Sequence, residues 1–122
     1  DMLRYEHFGL GITWNDEYGK ADDPVEFQWL YGYSPVQKVR EGVAYPSVMF
    51  TSFDNDSRTD VMHPRKMCAA LQHATTSDPN ERPILFRREA DVGHSSRSTD
   101  RTLDLGADQL GYFGEQLGLT PR

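Results

Sequence analysis

Residues 46–56 read Pro46-Ser47-Val48-Met49-Phe50-Thr51-Ser52-Phe53-Asp54-Asn55-Asp56. Pro46 opens a mostly apolar run that continues to Phe53 without clean alternation, and the chain turns polar from Asp54 to Asp60. Such a run predicts a strand buried on both faces, as in parallel sheets. His63-Pro64-Arg65-Lys66-Met67-Cys68-Ala69-Ala70-Leu71 follows. Pro64 suits the first position of a helix, and Met67, Ala70, Leu71 and Ala74 form one apolar stripe along it. Thr76-Ser77-Asp78-Pro79 breaks that helix, and Pro83 opens a second strand that runs through Phe86. After a second polar loop, Ser98 or Thr99 caps a last helix with Leu103, Ala107, Leu110, Phe113 and Leu117 on one face.

The order is strand, polar loop, helix, strand, polar loop, helix. A crossover of this length implies parallel pairing and a right-handed connection, hence an α/β fold. Both polar loops then leave the carboxyl edge of the sheet, where open α/β sheets bind their ligands. Neighbouring strands lie about 4.8 Å apart, so side chains of the two loops can meet. Upstream, residues 1–23 read as irregular and loop-rich. Asp22-Asp23-Pro24 starts a short helix over about 24–32, and Ser34-Pro35 ends it.

Composition limits the functional classes. The chain has 122 residues, 37% of them apolar and 26% charged. That is polar for a self-sufficient core and suggests that further apolar partners lie elsewhere. The formal net charge of −6 argues against nucleic-acid binding. No run of about 18 apolar residues predicts a membrane span. The opening residues carry no secretory leader. Cys68 is the single cysteine and no metal-type Cys/His spacing occurs, so neither a disulfide nor a metal or organic cofactor is expected. A lone cysteine is compatible with a reducing compartment, and the expectation is cytoplasmic; an upstream signal would make it periplasmic or secreted.

The first loop supplies Asp54, Asp56 and Asp60, and the second supplies His94 in Asp91-Val92-Gly93-His94. A carboxylate beside an imidazole fixes its tautomer and stabilises the imidazolium. In α/β-hydrolases the triad runs Ser, then Asp or Glu, then His, and Asp56 ahead of His94 fits the last two members. Spacing alone leaves the larger share to solvated loop residues and helix caps. The nucleophile motif G-x-S-x-G is absent, and Ser95 and Ser96 have no elbow around them. If the pair is catalytic, its serine lies upstream of Asp1.

Simpler readings stand beside these. Asp54 reads as a turn residue, Asp60 as solvated or as an aid to the following helix terminus, and His63 as a surface or capping residue. His7 and His73 read as surface residues, and Asn15, Asp16 and Glu17 as a solvated turn. Trp14 and Tyr18 read on their own as core aromatics, Trp29 with Phe27 as helix packing, and Cys68 as a small buried residue.

Asp54-Asn55-Asp56-Ser57-Arg58, then Arg65-Lys66-Met67 on a helix, then Asp91-Val92-Gly93-His94 resemble the carboxyl-terminal end of the prolyl oligopeptidase family. Asp1-Met2-Leu3-Arg4-Tyr5, Gly11-Ile12-Thr13-Trp14, Glu17-Tyr18-Gly19 and Tyr33-Ser34-Pro35 extend the resemblance through nearly the whole chain, in the family's order. These are serine peptidases with an α/β-hydrolase catalytic domain gated by a β-propeller. The resemblance implies that residues 1–122 are the carboxyl-terminal part of such a domain, with the last two parallel strands of the fold and flanking helices. It also implies a proline-containing oligopeptide as substrate, and as structural partners the upstream part of the same domain and the propeller. It implies Asp56 as the triad aspartate and His94 as the general base. Arg58 would bind a substrate carbonyl beside the scissile bond, and Trp14 and Tyr18 would form the proline pocket.

Thr59, near that pocket, replaces a usual valine. Phe53 stands where a small residue is common, and Val61-Met62 replaces a proline-containing step. Two other classes remain open: a non-catalytic α/β module that binds a proline-rich peptide or a protein partner, and a same-fold esterase or acylaminoacyl peptidase. Two strands with three helices bury little, so residues 1–122 alone are expected to aggregate or fold partially.

Overall fold

β1 (Val48–Phe53) and β2 (Ile84–Glu89) pair in parallel, from Val48 opposite Ile84 to Phe53 opposite Glu89. Parallel neighbours need a crossover, and α3 (Met62–Ala74) provides it. The computed structural model describes residues 1–94 and 97–119. Its remaining elements are short 3-10 turns at Tyr5–His7, Gly11–Trp14 and Pro35–Lys38, the single turn α1 (Asn15–Tyr18), α2 (Pro24–Tyr33) and α4 (Thr99–Gln116). The strand–helix–strand order of the α/β-hydrolase portion thus matches the expectation from the hydrophobic pattern.

The core lies between the sheet and α3. Cys68 and Leu71 of the helix and Ile84 of β2 are buried together, with Met67, Val48, Phe50 and Phe86 packed around them. Cys68 is a small core residue, as expected. The stripe on α3 runs through Cys68, Leu71 and Ala74. The helix begins two residues before Pro64. Asp60 accepts the Met62 N–H at 2.8 Å, so an acidic side chain just upstream does the work of a cap. Pro64 then falls in the first turn, where a missing N–H leaves no bond unmade.

Other boundaries also shift. β2 continues three residues beyond Phe86. Arg87, Arg88 and Glu89 read as loop because they are charged, yet each is paired: Arg87 with Asp108 at 2.7 Å and Glu89 at 2.9 Å, and Arg88 with Asp54. β1 is half-buried over most of its length, with only Ser52 fully inside, so this chain by itself does not cover both faces. Trp29 is 56% exposed; Phe27 instead stacks on Tyr31, with ring centres 6.0 Å apart.

The largest difference is in α4. Ser98 caps it, accepting the Arg101 N–H as expected. The face turned toward the protein carries Arg101, Leu105, Asp108 and Tyr112, four residues at helical spacing. They reach Glu89 and Ala90, the interior, Arg87 and Ser47 respectively. The predicted stripe points away: Leu103, Leu110, Phe113 and Leu117 are all exposed, Leu110 by 73%. Periodicity identified an apolar face correctly but could not say whether its partner belongs to residues 1–122.

A buried polar network anchors the amino-terminal segment. The Asp1 carboxylate accepts from Gln37 Nε2 at 3.0 Å and from the Leu3 N–H at 3.1 Å, and it pairs with Lys66 on α3. Ser34, fully buried, accepts the Met2 N–H at 2.8 Å. Gly11 sits deeper still: a Cβ there would lie 1.8 Å from the Tyr5 carbonyl oxygen. Replacing Gly11 by Ala in the full-length protein should therefore destabilise it by about 2–3 kcal/mol or more through overpacking, read as a drop in melting temperature. Residues 1–122 alone, with an apolar α4 face in water and unpaired strand edges, should self-associate. A cooperative melt of a monomer in sedimentation-checked samples would contradict this.

Candidate active site

The two loops at the carboxyl edge are bound to each other by the main chain. The Asp54 N–H donates to the Glu89 carbonyl at 3.1 Å, extending the parallel ladder one step past β1. The next bridge skips ahead: the Asn55 N–H donates to the Val92 carbonyl at 3.0 Å, leaving Ala90 and Asp91 looped out. Asp91 makes that turn in the left-handed region, with φ of 59°. Aspartate tolerates this conformation better than most residues. Val92 is almost wholly buried and pins the far side of the loop.

The ladder delivers His94 to Asp56. Its Nδ1 lies 3.0 Å and 2.9 Å from the two carboxylate oxygens. The Asp56 side chain is 8% exposed and the His94 side chain 42%. Oδ1 of Asp56 also accepts the N–H groups of Arg58 and Thr59, each at 2.9 Å. Burial works to raise the Asp56 pKa, but the hydrogen bonds from Thr59, His94 and Arg58 outweigh it and hold the carboxyl below its usual value. Asp56 is therefore an ionised acceptor at neutral pH, so Nδ1 of the ring is its donor and Nε2 is left for another proton transfer.

The imidazole borders a cavity of about 450 Å³ whose walls include Met2, Phe8, Trp14, Tyr18, Arg58, Thr59 and His63. The structure thus brings all six residues singled out in the sequence to one place. Asp56 backs His94, and Arg58, Thr59, Trp14 and Tyr18 line the cavity with it. Trp14 and Tyr18 stack with centroids 6.2 Å apart, and Tyr5 meets Tyr18 edge-on at 5.9 Å. The Tyr5 hydroxyl lies 2.7 Å from the Gly19 carbonyl and 2.9 Å from Asn15 Oδ1, fastening both ends of this aromatic wall. The wall is also tied to the acidic loop: the Leu10 N–H donates to the Ser57 carbonyl at 2.9 Å. Gly9 permits that approach, since a Cβ there would lie 2.6 Å from the same oxygen.

One sequence reading needs revision. His63 is neither a surface residue nor a cap. It is half-buried on α3 and lines the cavity, and burial foremost lowers its pKa. Asp54 does lie in a turn, as expected, and Arg88 also grips it with Nε at 2.7 Å and Nη2 at 2.5 Å. Met2, Tyr5 and Phe8 are wall residues that no local pattern singled out; only the folded path of the first turns brings them together. Asp60 does serve the α3 terminus, and His7 and His73 are exposed. Ser95 and Ser96 lie outside the described residues. Among the described residues no cluster of His, Cys, Asp and Glu could hold a metal ion, and no helix is long and apolar enough to cross a membrane.

Comparison with known proteins bears on the family and the fold. The model of the prolyl oligopeptidase family matches residues 1–120. A prolyl endopeptidase from Elizabethkingia meningoseptica is 40% identical over 121 residues, and a prolyl oligopeptidase from Dendrothele bispora is 38% identical over 122. Each alignment covers 98% of this chain but only 17% and 16% of the relative. A solved prolyl endopeptidase superposes with a TM-score of 0.90 at 36% identity, over 98% of this chain and 17% of its own. Prolyl oligopeptidase B from Galerina marginata, bound to a 35-residue hydrolysis and macrocyclization substrate, superposes with a TM-score of 0.87 at 32% identity, over 100% and 17%. The chain spans about one sixth of these proteins, and it belongs to the prolyl oligopeptidase family.

Proposed function

We propose that residues 1–122 are the carboxyl-terminal part of a serine endopeptidase catalytic domain and supply the aspartate and histidine of its triad. The observation that carries this reading is the Asp56 carboxylate on Nδ1 of His94, at the rim of a cavity walled by Trp14 and Tyr18. A serine upstream of Asp1 attacks the carbonyl of a substrate proline. Nε2 of His94 takes the serine proton and passes it to the leaving amine, while Asp56 orients the ring and stabilises its charged form. The indole face of Trp14 gives the compact pyrrolidine ring apolar area with a defined orientation, and Tyr18 stacked beside it stiffens that wall. The Arg58 guanidinium donates to a substrate carbonyl and so places the scissile bond. Thr59 borders the ring-binding space. The substrate is a proline-containing oligopeptide, cleaved on the carboxyl side of proline. The upstream half of the domain and a β-propeller complete the enzyme. Residues 1–122 alone are inactive, because they hold no nucleophile elbow. We place the enzyme in the cytoplasm.

The test uses the full-length protein and a chromogenic prolyl amide. Asp56→Asn and His94→Ala should each lower kcat about 10³–10⁴-fold with unchanged far-ultraviolet circular dichroism. Retained amidase activity in either variant would exclude the triad assignment. A simple ester turned over while prolyl amides stay intact would favour an esterase instead. Trp14→Ala should reduce kcat/KM for the prolyl amide about 10–100-fold, with a smaller loss on an alanyl amide. Equal losses on both substrates would show that Trp14 does not read the proline ring.

A further inference from the structure

The side-chain fork between Arg88 and Asp54 sits where the two loops separate. Arg88 is the fifth residue of β2 and stands opposite Ser52 in the parallel register. From there its guanidinium reaches diagonally past Phe53 to Asp54, the first residue after β1, and makes two nearly parallel bonds to the two carboxylate oxygens. The main chain of the same residue is pinned as well, by its N–H on the Glu89 carbonyl. Asp54 is therefore held to β2 at its backbone and at its side chain. The Asn55–Val92 bridge follows one residue later, and Asp56 one residue after that.

The two kinds of link restrain different motions. Main-chain bridges fix how far apart the loops stand and how they are registered along the strands. A single row of such bonds by itself resists swinging about that row only weakly, and on its far side the acidic loop is tied by the Leu10 N–H on the Ser57 carbonyl. A bidentate guanidinium–carboxylate pair is planar and directional, and it resists that rotation where one point charge would not. Asp56, two residues on, turns its carboxylate onto the Arg58 and Thr59 N–H groups and His94 Nδ1, and the fork holds the chain at the point where that turn starts.

Resting on the peptidase reading above, we infer that Arg88 is a positioning residue for the Asp56–His94 pair, acting through Asp54. Arg88 does not touch the substrate cavity: it is absent from its lining, and its side chain is 57% exposed. An exposed ion pair of this kind contributes little to global stability. Its effect is on geometry, and a displacement well under 1 Å at the reacting atoms suffices to lower a rate several-fold.

The experiment is a double-mutant cycle in the full-length enzyme with a prolyl amide whose chemical step limits turnover. R88Q should lower kcat about tenfold, with KM within about twofold. R88K, which keeps the charge and loses the fork, should fall between R88Q and the unsubstituted enzyme. D54N should match R88Q, and R88Q/D54N should be no worse than either alone, as expected for two groups acting as one unit. All variants should melt within about 2 °C of the unsubstituted enzyme. Three results would overturn the inference: R88Q with unchanged kcat, additive losses in the double variant, or a loss of activity that tracks melting temperature. An unsubstituted enzyme that leaves prolyl amides intact would instead remove the peptidase reading, and this inference with it. Prolyl cleavage that is indifferent to R88Q removes the inference alone.

Discussion

Two parallel strands ending side by side are the constraint on which the rest of the site depends. Past the pairing of Phe53 with Glu89, the next two N–H groups of the first segment both bond carbonyls of the second. Asp54 finds Glu89, and Asn55 finds Val92 because Ala90 and Asp91 bulge aside. Each of these donors is satisfied by the ladder, as buried amides require. The contact between Asp56 and His94 is the next rung, made by side chains instead of backbone. A parallel sheet thus converts strand register, a property of the main chain, into the spacing of two functional groups 38 residues apart in sequence.

The cavity beside that contact is assembled differently. Its aromatic wall comes from short turns with little intrinsic persistence, fastened to one another by the Tyr5 hydroxyl on Gly19 and Asn15. Their place against the rest of the protein is held from outside. Asp1 is buried against Lys66 and Gln37, Ser34 takes the Met2 amide, and Leu10 reaches the Ser57 carbonyl. Polar groups removed from water must be paired, and here the pairing ties the wall to α3 on one side and to the acidic loop on the other. The wall and the Asp56 loop are consequently one mechanical unit.

The outer surface has the opposite character. Leu103, Leu110, Phe113 and Leu117 on α4 face solvent, and β1 is only half covered. The helix is retained by Arg87–Asp108, Arg101 with Glu89 and the Ala90 carbonyl, the Tyr112–Ser47 bond and buried Leu105. These features accord with a chain that spans about one sixth of its relatives. They also explain why the apolar stripe was readable while its burial was not. Periodicity reports that a face is apolar, and burial depends on what else is folded against it.

The amino-acid sequence by itself determined the order of elements, the parallel pairing and the membership of Asp56, His94, Arg58, Thr59, Trp14 and Tyr18 in one constellation. Those features rest on short-range patterns and on linked motifs, which survive without coordinates. It misjudged the end of β2, the start of α3 and the surroundings of His63. Each of these depends on a partner distant in the chain: Asp108 and Glu89 for Arg87, Asp54 for Arg88, and the first turns packed near His63. A charged residue in a strand looks like loop until its surroundings are known: Arg87, largely buried, is tolerated there because it is paired, and Arg88 because it is both paired and half exposed. Tertiary structure alone decided which charges are paired, which apolar face is covered, and how the two loops lock, since all three are set by contacts that sequence distance does not encode.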